Sequence, residues 1–314
     1  MMQNSSLQAF MDHLIDYAGL FPPAILPMKK AIRNYAAYRI TNDAWMLGRF
    51  IIPASRLVEL EDEMSLFSPE MPLALSVLGS KSDDPITCKG RLHVDLARIE
   101  GFRDKYGDAV EIGMFELPVL PFVPDCGLLA AIAGETSKRG LYTFCEVTLL
   151  HQNWEQQLLL TLDKIAEHNA TGGPELGVKL RTGGVTADAF PTPIQVAWLL
   201  LGCRNRGINI KCTAGLHHPI RMYREEVRTK MHGFINLFAA GMLAHTHSLD
   251  VMTTTQILAD EESTHFSFTN EGLSWRDYTV STSEIEQLRA TVLSSYGSCS
   301  FDEPREDLTT LKFL

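Results

Sequence analysis

"LGVKLRTGG", residues 176–184, is an apolar run that ends in a lysine, an arginine and two glycines. "INIKCTAGLHHPIR", residues 208–221, repeats the design: apolar run, lysine, small residues, then histidines and an arginine. Side chains alternate along a strand, so Lys179 and Arg181 share one face and Leu180 takes the other. If Leu180 packs outward on helices, both basic residues point inward. Lys211, between Ile210 and Cys212, obeys the same logic. On neighbouring strands about 4.8 Å apart, the two lysines would stand side by side.

Similar runs recur along the chain. Apolar segments at 13–20, 48–54, 72–79, 110–119 and 141–150 precede the two already quoted, and "HFSFTN" at 265–270 reads as the last. Each is followed by a longer amphipathic stretch. A long helical region is expected over 222–259 and a final helix near 283–296. The runs are continuous rather than alternating, as expected of strands buried on both faces. A βα unit repeated eight times predicts one closed α/β barrel of the (β/α)8 TIM type, with an open doubly wound sheet as the competing arrangement. One boundary is well marked: Thr192, Pro193 and Gln195 in "FPTPIQVAW" form a capping box with proline at the first helical position. The whole chain, 1–314, reads as one barrel domain, with 297–314 as a polar tail that covers a barrel end or trails.

Composition narrows the function. The 314 residues are 45% hydrophobic and 21% charged, with a formal net charge of -10. Such an acidic chain lacks the basic footprint that nucleic-acid binding needs. No segment reaches the roughly 18 apolar residues of a membrane span. The six cysteines form no CxxC pair, and most sit in apolar runs as reduced, buried thiols. A cytoplasmic protein without a membrane partner is expected, and a homo-oligomer is compatible with these features.

A barrel places its active site at the C-terminal ends of its strands. That rule selects Asp16 and Tyr17 after the first strand, Glu116, Glu146, Lys179, Arg181, Lys211 and Thr213, and Asn270 and Glu271 after the eighth. It adds Thr182, Gly183, Gly184 and Gly215 in the turns, and His217 and Arg221 in the loop that follows. Adjacent inward lysines repel, and burial adds to the effect, so both pKa values are expected to fall toward the neutral amine that Schiff-base chemistry needs. The alternative is that each lysine pairs with Glu116 or Glu146 and is structural. The glycines let backbone N–H groups approach an anion, with Arg181, His217 and Arg221 supplying charge, or else they only make tight turns. His217 and His218 are expected to diverge, and no metal-ligand spacing is present, so no metal and no cofactor are assigned.

"GVKLRTGG" and "INIKCTAGLHHPIR" resemble the sixth and seventh strands of the deoxyribose-phosphate aldolases, which are class I aldolases. On this likeness Lys179 takes the Schiff-base position, with Thr182 and Gly183 in the turn after it. Lys211 takes the second-lysine position, and Gly215 matches a turn glycine. "LIDYAGLFPPA" places Asp16 at the family's first-strand aspartate, and "CEVTLL" places Glu146 at its fifth-strand glutamate. There are departures. Gly113 stands where the family has a catalytic aspartate, with Glu116 three positions on. His217 stands where the phosphate-side arginine would be, and no eighth-strand glycine–serine turn is evident. The resemblance implies a Schiff-base aldolase or lyase acting on a small anionic carbonyl metabolite. Two other readings stay open: a metal-assisted hydrolase or lyase using Glu116, Glu146 and a loop histidine, and a barrel that binds an anionic metabolite without turnover.

Overall fold

In the computed structural model, which describes residues 5–150 and 152–314, the segment Leu176–Arg181 is a buried strand between two parallel neighbours. We number the barrel strands β1 (Ile15–Tyr17), β2 (Leu47–Pro53), β3 (Leu73–Leu78), β4 (Val110–Leu117), β5 (Tyr142–Val147), β6 (Leu176–Arg181), β7 (Ile210–Thr213) and β8 (Leu293–Ser298). Each pairs in parallel with the next, and β8 closes on β1. The chain is thus a single eight-stranded parallel barrel with helices between the strands. The outward-facing Val178 and Leu180 of β6 are fully buried, as strands covered by helices require.

The expected boundary at Thr192 holds. Its hydroxyl accepts from the Gln195 N–H, the Gln195 side chain accepts from the Thr192 N–H, and the helix Pro193–Arg204 begins there. After β2, the segment Ala54–Leu66 winds as 3₁₀ turns rather than as an α-helix.

Two expectations are overturned. The segment 222–231 is not helical: Met222–Arg224 and Thr229–Met231 form an antiparallel hairpin, turned through Arg228 at φ +52°. Only then do the helices Phe234–His247 and Val251–Ala259 follow. The hairpin's outward residues are exposed, so the stretch has no apolar helical face to bury.

The second correction concerns the eighth strand. "HFSFTN" contributes Phe266–Phe268 to a small antiparallel sheet with Gly272–Trp275 and Tyr278–Ser281, outside the barrel, so Asn270 and Glu271 fall in a turn of that sheet rather than at the end of a barrel strand. Phe268 packs there edge-on against Phe10 of the first helix, with ring centroids 5.3 Å apart. The true eighth strand is "LSSYGS", residues 293–298, and the helix before it ends at Thr291. Gly297 and Ser298 therefore belong to the barrel rather than to a tail. Helix Asp302–Thr310 is the helix that follows β8, which places its N-terminal turn at the barrel mouth. Among the described residues, no helix is long and apolar enough to cross a membrane.

Candidate active site

The register sets Lys179 directly beside Lys211, and Glu146 directly beside Lys179. Both lysines point into the barrel. Lys179 is 2% exposed and Lys211 fully buried. They do not stand against each other unscreened, because Glu116 reaches between them from β4. Lys179 Nζ donates to Glu116 Oε2 at 2.8 Å and lies 2.6 Å from Glu146 Oε2. Lys211 Nζ lies 3.5 Å from Glu116 Oε1. It donates to Asp16 Oδ2 and, at 2.9 Å, to Ser295 Oγ. Arg181 Nε donates to Glu146 Oε1 at 3.3 Å. The result is an alternating row: Asp16, Lys211, Glu116, Lys179, Glu146, Arg181.

Hydroxyls complete the row. Ser76 Oγ donates to Glu116 Oε1 at 2.6 Å, and Ser295 Oγ donates to Asp16 Oδ2 at 2.7 Å. The Arg49 N–H donates to Asp16 Oδ1 at 2.6 Å. Three carboxylates face three cations, and each buried charge has its hydrogen bonds. Under those conditions the cost of desolvation is best offset.

The pairing reverses the expected charge state. Burial alone pushes the Lys179 pKa down, but Glu116 and Glu146 outweigh it and hold the ammonium above its ordinary value. Burial likewise pushes Glu116 up, yet Lys179 and Lys211 bring its carboxyl down to about 2. The resting form of Lys179 is thus a paired ammonium rather than a free amine. At Lys179 attraction wins because two carboxylates lie within 2.8 Å of its Nζ.

A cavity of about 350 Å³ opens above this row at the C-terminal ends of the strands. Its floor includes Lys179, Glu116 and Glu146. Arg181, Gly183, Gly184, Thr213 and His217 also line it, and apolar walls come from Phe21, Ile51 and Val185. Asp16 and Lys211 lie beneath the floor and do not line it. A second cavity of about 320 Å³, walled by Pro118, Pro121 and Phe122 between the ends of β4 and β5, shares Glu146 with the first. It holds no lysine.

Three of the residues expected at a ligand stand elsewhere. Thr182 is fully buried, and its hydroxyl donates to the carbonyls of Ala214 and, at 3.2 Å, Thr213. It ties the β6 turn to the β7 turn. Gly215, at φ +73°, packs against Gly183; a Cβ there would come within 2.9 Å of the Gly183 Cα and of the Phe190 ring. The two glycine turns thus touch each other, and only glycine permits the approach. Arg221 does not reach the cavity, and its guanidinium meets His232 Nδ1 at 3.3 Å. Gly215→Ala combines an unfavourable positive φ with a backbone clash, so it should cost at least about 2 kcal/mol. Gly101→Ala, in the helix Pro85–Tyr106 with open space around it, should instead be neutral or stabilise. Urea midpoints of the two variants check this, and equal midpoints would refute the packing argument.

His217 and His218 diverge only partly, with ring centroids 6.4 Å apart. Both turn toward the helix Asp302–Thr310: His218 Nδ1 to Asp307 Oδ2 at 2.6 Å, His217 Nδ1 to Glu303 Oε2 at 3.4 Å. His217 Nδ1 also lies 3.7 Å from Cys299 Sγ. Burial pulls the His217 pKa down, but Cys299 and Glu303 raise it to about 9. Among the described residues, no three His, Cys, Asp or Glu side chains are grouped so as to hold a metal ion.

The sequence reading missed Ser76, Ser295, Gly297, Cys299 and Glu303. The last four all lie in or beyond the strand that was misplaced; Gly297 and Cys299 line the cavity. Comparison with protein-family models and with curated proteins finds no match to this chain.

Proposed function

We propose that the barrel is a Schiff-base enzyme, a class I aldolase or lyase, acting on a small anionic carbonyl compound. One observation carries the reading. Lys179 is the barrel lysine that opens on the cavity, and it touches two carboxylates able to take its proton. Of the two, Glu116 is held near pKa 2 and is a poor acceptor. Glu146, at 2.6 Å and on the cavity wall, is the better placed base.

The chemistry balances without an outside proton. The Lys179 ammonium passes a proton to Glu146, and the free amine adds to the carbonyl carbon. Glu146 returns the proton to the carbinolamine hydroxyl, which leaves as water. Ammonium plus carbonyl thus gives iminium plus water. A hydroxyl on the carbon beyond the α-carbon can then lose its proton to the same carboxylate. The carbon–carbon bond breaks, and its electron pair is taken up by the iminium as an enamine. Lys211, beneath the floor, holds Glu116 and Asp16 in place.

The cavity supports the substrate class. Its size suits a small metabolite, and Arg181 and His217 stand at its rim with Gly183 and Gly184. The resemblance of β6 and β7 to the deoxyribose-phosphate aldolases points the same way. The relocated β8 adds to it, since the strand ends in Gly297–Ser298, the glycine–serine pair that was absent from 265–270.

Borohydride reduction in the presence of small aldehydes and keto acids, followed by peptide mapping, tests the proposal. The expected label is on Lys179, and Lys179→Arg should abolish it while anion binding persists. A label on Lys211 would reverse the roles. No label with any carbonyl compound would remove the catalytic reading and leave the lysines as members of a structural charge row under an anion-binding cavity.

A further inference from the structure

Cys299 follows β8 directly, and its thiol opens on the cavity beside His217. It differs from the other five cysteines. Cys88, Cys145, Cys203 and Cys212 are buried, as Cys299 is, but among the described residues none has an imidazole partner, and burial pushes their thiols up, Cys145 and Cys212 to about 12. Cys126 is exposed, but its Sγ lies 3.4 Å from the Glu167 carboxylate, which also pushes it up. Among the described residues, Cys299 alone of these thiols has an imidazole partner and a cavity in front of it. A thiol beside an imidazolium is the arrangement in which the thiolate is favoured.

The surroundings also select a ligand. His217 and Arg181 are the cations nearest the cavity rim, above the Lys179 ammonium of its floor. Each is engaged by a carboxylate, Glu303 for the first and Glu146 for the second. Glu303 stands on the first turn of its helix with its side chain 49% exposed, so it can turn to solvent when a ligand carboxylate takes its place at His217. Tyr17, His218, Arg224, Asp302 and Asp307 are further ionisable groups close to this cluster.

We propose that Cys299 and His217 form a reactive thiol site that captures small anionic electrophiles entering the barrel mouth. The thiol gives up its proton to solvent, and the neighbouring His217 imidazolium stabilises the thiolate that remains. The thiolate attacks the electrophilic carbon, the S–C bond forms, and the leaving group departs with its electron pair. This step uses neither Lys179 nor its carboxylates, so the site stands or falls independently of the Schiff base.

Alkylation of the full-length protein tests it, with iodoacetate as the anionic probe and iodoacetamide as its neutral counterpart. Limited reagent at pH 7 and peptide mass mapping give rates at Cys299 and Cys126 in the same sample. Cys299 should be labelled before Cys126 although it is only 8% exposed. The iodoacetate-to-iodoacetamide rate ratio should be at least about tenfold higher at Cys299 than at Cys126, the factor that corresponds to one pKa unit of favourable interaction. His217→Gln should remove that excess and leave Cys126 unchanged. Labelling of Cys126 first by both reagents would overturn the proposal, as would equal ratios at the two thiols in the unmodified protein. Borohydride trapping reads Lys179 separately, so failure of one site is not mistaken for failure of the other.

Discussion

Glu116→Gln is expected to shift the pH dependence of Lys179 reactivity to lower pH by at least about one unit, or tenfold in free amine at a given pH. The direction follows from what opposes what at the lysine. Burial favours the neutral amine, and the carboxylates of Glu116 and Glu146 overcome it. Glutamine keeps the shape and removes one of the two charges. Lys211, until then screened by Glu116 at 3.5 Å, becomes an uncompensated neighbouring cation, which disfavours the ammonium further. The amount of borohydride-trapped adduct at Lys179, measured from pH 5 to 10, reports the shift. A profile that stays in place, or moves upward, would mean that Glu146 alone sets the charge of Lys179.

The same substitution changes how stability depends on pH. Glu116 has a depressed pKa in the folded protein, so its contribution is present above its ordinary carboxylate value and is lost as pH falls toward about 2. Lys179 has a raised pKa, so its contribution is present below its ordinary value and is lost as pH rises through the folded one. The charge row therefore favours the folded state across the neutral range and weakens at both extremes. In Glu116→Gln the acid-side loss disappears along with the contribution itself.

Part of this was legible in the sequence. Lysines inside the apolar runs of β6 and β7 announce inward positions, because the period of two leaves them no other face consistent with a buried Leu180. The capping box at Thr192 is a local signal, and local signals hold. The eighth strand was not legible, because "LSSYGS" is not an apolar run. Its inward Ser295 bonds to Lys211 and Asp16, and its Gly297 borders the cavity, so the chemistry of the site replaced the hydrophobic signature of a strand. The nearby "HFSFTN" carried that signature and belongs to a different sheet. Residues 222–231 failed for another reason: the stretch has no apolar helical face to bury, and its chain turns back at Arg228 into a hairpin.

The charge state of Lys179 lay still further from view. Adjacent lysines can be read from two neighbouring strands, but Glu116 arrives from β4, two strands away from β6. The β3–β4 ladder shifts register between Leu75 and Ser76, just before that approach. Whether a carboxylate lands between two lysines is a matter of barrel closure and stagger, and no window of sequence contains it. The same holds for His217, whose partners Cys299 and Glu303 come from more than eighty residues later.

Lys211→Met is expected to destabilise the protein by about 3–5 kcal/mol, the usual cost of removing one member of a buried ion pair. Methionine matches the length of the lysine and fills its space, so the loss reports charge rather than volume. It leaves the fully buried Asp16 with only the Arg49 N–H and the Ser295 hydroxyl. It also leaves Glu116 with Lys179 and Ser76. Pairing Lys211→Met with Asp16→Asn removes the stranded charge while keeping an acceptor for the Arg49 N–H. The double variant should recover at least about 1 kcal/mol relative to the sum of the single changes, since residues in direct contact do not act additively. Urea unfolding of the four proteins supplies the cycle. Trapping at Lys179 should survive in the folded Lys211→Met protein, because Lys211 lies under the cavity floor and not in it. If Lys211→Met proved as stable as the parent chain, or if the two changes simply added, the alternating charge row would not be what holds the barrel floor.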